Sequence, residues 1–294
     1  MKSRKSGFTL VELLTVLVII ALMMGVLLPA LNKVRNTAKE ARQKVQFATI
    51  EQAIMAFKSD YGDYPPSNFS GAVGTLYEGA QKLAEALVGW DLMGFHPKSA
   101  WTWDGKELPP GIAPIYDSSS TTNLDERKGP YLELAKANVF RLGNTVNGPG
   151  LFNNTGPDLA PDTYVLCDSF GAKNLIFNNG TKTEIVTAGT PILYYKANTN
   201  SKAWFGPTWP DDRIYNCYDN QALLDLKKMT NNSIKHPLGG DDASFPSMGH
   251  GAFYRYLTDP KVTATPWPYN SDSYILISAG ADGLYGTADD ITNF

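Results

Sequence analysis

Residues 1–30 read MKSRKSGFTLVELLTVLVIIALMMGVLLPA. Three bases, Lys2, Arg4 and Lys5, precede Gly7; an apolar run opens at Phe8; one carboxylate, Glu12, lies inside it. A secretory signal places its small-residue cleavage site after the apolar stretch. Here the cleavage-like feature, Gly7 before Phe8, lies ahead of it. A cut there keeps the apolar helix on the mature chain, with Glu12 as its fifth residue. A charge within a membrane span costs roughly 2.5–3.5 kcal/mol on insertion scales and tends to mark function.

The run from Phe8 to Leu28 is almost wholly apolar. About 20 helical residues, at about 1.5 Å each, cross the hydrocarbon core of a bilayer. The leader bases bias the C-terminal bulk to the side away from the cytoplasm. Pro29 removes a helix donor and crowds the preceding turn, which predicts a kink or local melting over residues 25–29. Beyond it Val34, Ala38, Ala41, Val45 and Ala48 recur at helical steps, and Phe47, Ile50, Ile54, Phe57 and Tyr61 continue the pattern further round. Gly62 is a C-terminal stop, and Pro65-Pro66 prevents continuation. One helix from about Thr9 to Tyr61 is expected, apolar all round in its first half and packed by one face on a globular domain in its second.

The string Gly7-Phe8-Thr9-Leu10-Val11-Glu12-Leu13-Leu14 resembles the class III leader and N-terminal helix of type IV pilins and type II secretion pseudopilins. The resemblance implies that a prepilin peptidase cuts after Gly7 and N-methylates Phe8. It implies that Glu12 pairs with the terminal amine of a neighbouring subunit, and that Pro29 sits where many members carry a proline. The plainer reading of the same residues is a single-pass anchor with a chance glutamate. The expected organisation is a leader at 1–7, a transmembrane and filament-core helix at 8–31, an amphipathic half at 32–62, and a head at 63–294. The fold class is α+β, a long helix packed on a loop-rich antiparallel β head.

Removing the leader takes the net charge from −3 to −6, and no basic patch lies outside the helix, so nucleic-acid binding is not expected. Cys167 and Cys217 face an oxidising compartment in this reading. They either form a disulfide, worth roughly 4 kcal/mol in the chain-entropy model, or remain two buried thiols. Patterning predicts a helix over 75–88 and a Trp-, Gly- and Pro-rich loop over 90–114. It predicts a short strand or turn at 131–134, paired strands at 162–166 and 174–177, and a strand at 192–197. A short helix at 220–229 and a buried strand at 274–278 complete it. Residues 201–270 read as an irregular aromatic insertion facing solvent or a partner.

Asp60-Tyr61-Gly62-Asp63-Tyr64-Pro65 resembles the helix-exit motif of the major pseudopilins. Asp168-Ser169-Phe170-Gly171, followed by Leu193-Tyr194-Tyr195, is a looser relative of that group's turn and tyrosine strand, with Ser169 in place of a proline. The chain is about twice the usual length of that group, and residues 66–273 hold the insertion.

The C-terminal segment, 278–294, carries Asp282, Asp289 and Asp290 on a loop with Gly280, Gly283 and Gly286. Hard cations such as Ca²⁺ take six to eight oxygens from carboxylates, carbonyls and water. The spacing is not that of an EF-hand, and a solvated acidic hairpin is the plainer reading. The loop also resembles the C-terminal calcium loop of the major pseudopilin. That resemblance implies Asp282, Asp289 and Asp290 as carboxylate ligands, with the carbonyls of Ala279 and Leu284 as backbone ligands.

His96, His236 and His250 lack metal-ligand spacing, and no nucleophile motif or phosphate loop is present, so no enzymatic activity is expected. The resemblance implies a structural subunit of a pilus-like filament, a pseudopilin of type II secretion. Its partners would be prepilin peptidase, the inner membrane of a bacterium, further copies of itself and other pilins or pseudopilins. It would cross that membrane once with its head outside the cytoplasm and later join a periplasmic or surface filament. The alternatives are a type IV pilin for adhesion, motility or DNA uptake, and a tethered module whose Trp204, Trp209 and Trp267 grip a glycan.

Overall fold

A computed structural model describes residues 7, 9–71, 75–106, 114–146, 148–178, 182–206, 212–245 and 249–294. Phe8, Trp209 and nearly all of the leader lie outside the described residues. The chain divides into two compact units, Met1–Arg42 and Gln43–Phe294.

Helix α1 runs from Leu10 to Tyr61. It ends where Gly62 turns to φ +83° and donates its N–H to the Lys58 carbonyl at 2.8 Å, a left-handed stop that glycine alone adopts without strain. Of the kink or melting expected at residues 25–29, the melting does not occur; the helix is unbroken there. A proline removes a single N–H from the ladder, and the turns on either side retain theirs. In the first unit the described side chains from Leu10 to Arg42 are all exposed. Among the described residues no helix is long and apolar enough to cross a membrane.

In the second unit the helix turns a different face inward from the first row of small residues. Val45 and Ala48 are exposed. The buried stripe is Phe47, Ile50, Ala53, Ile54 and Phe57, at steps of three and four. Larger side chains win this competition because each removes more apolar surface from water, at about 25 cal/mol per Å².

That stripe packs on α2 (Gly79–Val88) and on a three-stranded antiparallel sheet ordered β5-β6-β7. Here β5 is Leu193–Lys196, β6 is Tyr274–Ser278 and β7 is Ile291–Thr292. Tyr194 opposes Leu276 on the side that joins the α1 cluster, whereas Leu193, Tyr195, Ile275 and Ile277 join a second cluster. The sheet is therefore buried on both faces, which is why β6 reads as an uninterrupted YILIS.

The second cluster corrects the reading of residues 201–270. They supply Trp204, Tyr215, Phe253, Tyr254 and Leu257, all buried, so this segment is the other wall of the core rather than a solvent-facing insertion. It also contains α5 (Gln221–Asp225), shorter than expected, and α6 (Gly251–Leu257), which the patterning missed.

Strand pairing differs in the middle of the chain. The β2 strand (Tyr164–Leu166) pairs with β1 (Val139–Arg141), and β3 (Lys173–Asn178) pairs with β4 (Thr183–Ala188). The expected partnership of β2 with β3 fails because Asp168–Gly171 is not a hairpin turn. Asp168 is buried, and its carboxylate accepts the N–H groups of Phe170 and Thr190, each at 3.1 Å. This ties the turn to Thr190, just ahead of β5, and the chain leaves Gly171 into β3, whose partner is β4. Of the strand or turn expected at 131–134, the turn is found: Tyr131 and Leu132 bend the chain into α4 (Leu134–Ala137), with α3 (Thr121–Glu126) lying earlier in the chain. The result is an α+β architecture consistent with a pilin-like fold.

Candidate functional site

Two places carry the chemistry expected from sequence, one in each compact unit. At the start of α1, Thr9 and Glu12 form a reciprocal pair. The Glu12 Oε2 accepts the Thr9 N–H at 2.8 Å and the Thr9 hydroxyl at 2.7 Å, and the Thr9 Oγ1 accepts the Glu12 N–H at 3.2 Å. This is a capping box, Ser/Thr-x-x-Glu, which satisfies donors that a helix start otherwise leaves unpaired. Its sequence signal is Thr9 three residues before Glu12. Within one chain, then, Glu12 already holds the helix end. Gly7 is exposed just ahead of it, and Pro29 lies inside the unbroken helix.

At the other end, the loop between β6 and β7 is drawn tight by its glycines. Gly280 has φ +61°, and a Cβ there would meet the Asp289 carbonyl at 2.2 Å. Gly286 has φ +91°, and a Cβ there would meet the backbone of Leu238 at 2.5 Å. Neither position admits a side chain. Tyr285 anchors the loop between them: it is buried, its hydroxyl donates to the Pro191 carbonyl, and its N–H donates to His236 Nδ1 at 3.2 Å.

Three oxygen groups converge on the Thr287 hydroxyl. Asp289 Oδ1 lies at 2.7 Å, the Leu284 carbonyl at 3.2 Å and Asp290 Oδ1 at 3.3 Å. One hydroxyl proton cannot serve all three, so the nest is rich in acceptors. Asp290 Oδ2 accepts the Gly286 N–H at 2.7 Å, yet burial pushes the Asp290 carboxyl up to about 6. Burial also raises Asp289, but the Thr287 hydroxyl and the Asp282 N–H outweigh it and hold that carboxyl below its ordinary value.

Of the five expected ligand positions, this arrangement gathers Leu284, Asp289 and Asp290. The other two are used within the loop. Asp282 Oδ1 accepts the Leu284 N–H at 2.7 Å, and the Ala279 carbonyl accepts the Gly283 N–H at 3.1 Å. Among the described residues no group of three or more His, Cys, Asp or Glu side chains is placed to hold a metal ion. The oxygens of Leu284, Thr287, Asp289 and Asp290 fit the hard-donor chemistry of calcium, with two carboxylates rather than three. Thr287 was overlooked in sequence, although a hydroxyl two residues before an acidic pair is a recognisable donor.

Cys167 and Cys217 are buried free thiols, so the disulfide alternative is not realised. Each has packing and hydrogen bonds of its own. The Cys167 N–H donates to the Asn138 carbonyl at 2.9 Å and its carbonyl accepts from Gln46 Nε2 at 2.8 Å. Cys217 opens a 3₁₀ turn, Cys217–Asn220. Burial pushes the Cys217 thiol up to about 11 and Cys167 well above its ordinary value, so neither ionises readily. Trp204, expected to grip a ligand, is buried, and its indole N–H donates to Thr258 Oγ1 at 2.9 Å.

Residues 2–28 match the family model of the prokaryotic N-terminal methylation motif. No curated protein and no solved structure matches the chain. The chain therefore carries the motif of a type IV pilin-like prepilin peptidase substrate, on an α+β fold consistent with that architecture.

Proposed function

We propose that this chain is a structural subunit of a pilus-like filament, a pseudopilin of a type II secretion system. The observation that carries the reading is the methylation motif over residues 2–28, with Gly7 before Phe8 and Glu12 in register. In this reading the precursor crosses the bacterial inner membrane once through residues 8–31. Lys2, Arg4 and Lys5 stay in the cytoplasm. Prepilin peptidase cuts after Gly7 and methylates Phe8. Exposed apolar side chains from Leu10 to Leu31 then bundle with those of other subunits, which removes them from water or lipid. Its work is assembly rather than catalysis.

Glu12 closes its own helix through Oε2, and the same carboxylate pairs with the amine of the next subunit's Phe8. A buried ion pair is worth little net but sets register. Calcium held by Asp289, Asp290, the Thr287 hydroxyl and the Leu284 carbonyl supplies the positive charge this acceptor-rich nest lacks, and thereby fastens the C-terminus to the head. The calcium loop supports the pseudopilin reading, and the enlarged two-walled head supports the second reading, a type IV pilin.

Intact mass of the membrane-extracted protein tests the proposal. The expected mature chain starts at Phe8 and carries one added methyl group. A chain that begins at Met1, or one cut after Leu28, overturns it. Loss of secretion without loss of surface pili on deleting the gene selects the pseudopilin; the opposite pattern selects the pilin.

A further inference from the structure

A cleft of about 750 Å³ opens in the Gln43–Phe294 unit, between the chain leaving α1 and the segment that follows β5. Ligand sites run from about 300 to 1,000 Å³. The assembly reading makes no use of this one.

Its walls carry equal numbers of bases and acids. Three bases, Lys58, Lys196 and Arg213, are set against three acids, Asp63, Asp219 and Asp272. Five of the six are also engaged with the protein. Lys196 pairs with Asp63, and Lys58 Nζ lies 3.9 Å from the centroid of the Tyr64 ring. The Ser67 hydroxyl donates to Asp219, and Arg213 donates to the Gly206 carbonyl. The cleft therefore has no excess of positive charge to draw in a phosphate.

The exposed surface of the cleft carries side-chain amides and an aromatic face, beside the carboxylates of Asp63 and Asp272, which disfavour an anionic ligand. Asn68, Asn198 and Asn200 line the cleft and are exposed, and the Phe69 side chain is 40% exposed beside them. A primary amide offers two donors and an acceptor in one plane, which matches a sugar hydroxyl that both donates and accepts. The C–H face of a pyranose packs on an aromatic ring. The Asn68–Phe69 segment is also held in place: buried Lys82 donates from Nζ to the Asn68 carbonyl at 2.5 Å. The backbone of Asn200 is held by a local turn, its N–H donating to Asn198 Oδ1 at 3.2 Å. Backbone held before binding loses less freedom when a ligand arrives.

We propose that this cleft binds a neutral oligosaccharide, with Phe69 as the stacking platform and Asn68 and Asn200 as hydroxyl readers. The function is additional to assembly and does not depend on which filament system owns the subunit.

The test uses the full chain in a zwitterionic detergent, because glycoside detergents would compete. Cellotetraose, chitotetraose, maltotetraose and tetragalacturonate are each titrated by calorimetry and by saturation-transfer NMR, alongside a neutral decapeptide. At least one of the neutral saccharides is expected to bind with Kd below 1 mM, with the acidic one at least tenfold weaker. Phe69→Ala is expected to weaken binding tenfold or more at unchanged melting temperature. Asn200→Ala serves as the second variant should Phe69→Ala fold poorly, with a loss of at least threefold. Absence of any neutral saccharide binding, preference for tetragalacturonate or the peptide, or unchanged affinity in both variants overturns the proposal.

Discussion

The Glu78 carboxylate accepts the N–H of Ala222 at 2.6 Å and that of Leu223 at 3.0 Å, joining the start of α2 to the start of α5 across 144 residues of chain. Glu78 is buried, and that burial drives its pKa well above the ordinary value. The pair clamps the 201–270 segment onto the element that also carries the α1 cluster. Glu78→Ala leaves two buried helix-start donors unpaired, at a cost of about 2–4 kcal/mol. The urea midpoint of the full chain in detergent is expected to fall accordingly. Glu78→Gln retains one acceptor and should lose about half as much. An unchanged midpoint in the alanine variant would show that the clamp is dispensable.

Glu12 has two roles to separate, helix capping in its own chain and pairing with a neighbour. Glutamine serves at the third helical position of a capping box as glutamate does, but carries no charge. Both Glu12→Gln and Glu12→Ala are expected to be processed and yet to be depleted from sheared filaments. An uncompensated buried amine costs about 3–5 kcal/mol in either case. If Glu12→Gln assembles normally while Glu12→Ala does not, the carboxylate matters for the helix end alone.

Calcium is expected to raise the melting temperature of the full chain relative to chelator. A ligand that binds only the folded form adds about 2.7 kcal/mol at a hundredfold excess over Kd. Asp289→Ala and Asp290→Ala should remove the calcium response. Asp282 braces the Leu284 N–H, so Asp282→Ala should lower stability with and without calcium. Magnesium should substitute poorly because it demands a smaller octahedral shell. A calcium response that survives Asp289→Ala, or none in the native chain, defeats the site.

His236 gives the head a specific acid sensitivity. The ring is buried, and burial pushes its pKa down to about 4 from an ordinary 6.5. A depressed histidine contributes its full stability above about 6.5 and loses it as pH falls toward 4, because the unfolded chain takes up the proton first. Between pH 7 and pH 4.5 the loss from this one group is about 2–3 kcal/mol. His236→Gln cannot titrate, so it should be the less stable protein at pH 7 and close the gap on the native chain by pH 4.5. Parallel urea midpoints at the two pH values check this. A gap that stays constant removes His236 as the cause.

The sequence by itself determined the features set by local chemistry. A leader charge, a glycine, an apolar run and a lone carboxylate are read in order along the chain, and Gly62 with Pro65-Pro66 stops the helix by backbone geometry alone. The uninterrupted Tyr274–Ser278 strand announced its own burial. Three further decisions belonged to the tertiary structure. Which helix face turns inward was settled by the bulk available to pack, so Phe47 and Ile50 are buried where Val45 is not. Whether residues 201–270 faced water depended on the second face of the β5-β6 sheet, which must be covered, and the aromatics of that segment cover it. Which loop oxygens meet was settled by the glycines at 280 and 286, which bend the chain until Asp289, Asp290 and Leu284 share Thr287 while Asp282 turns back on its own backbone. A period along the chain reports what a residue can do within a few neighbours. Burial and convergence depend on residues far away in sequence, and only folding brings those together.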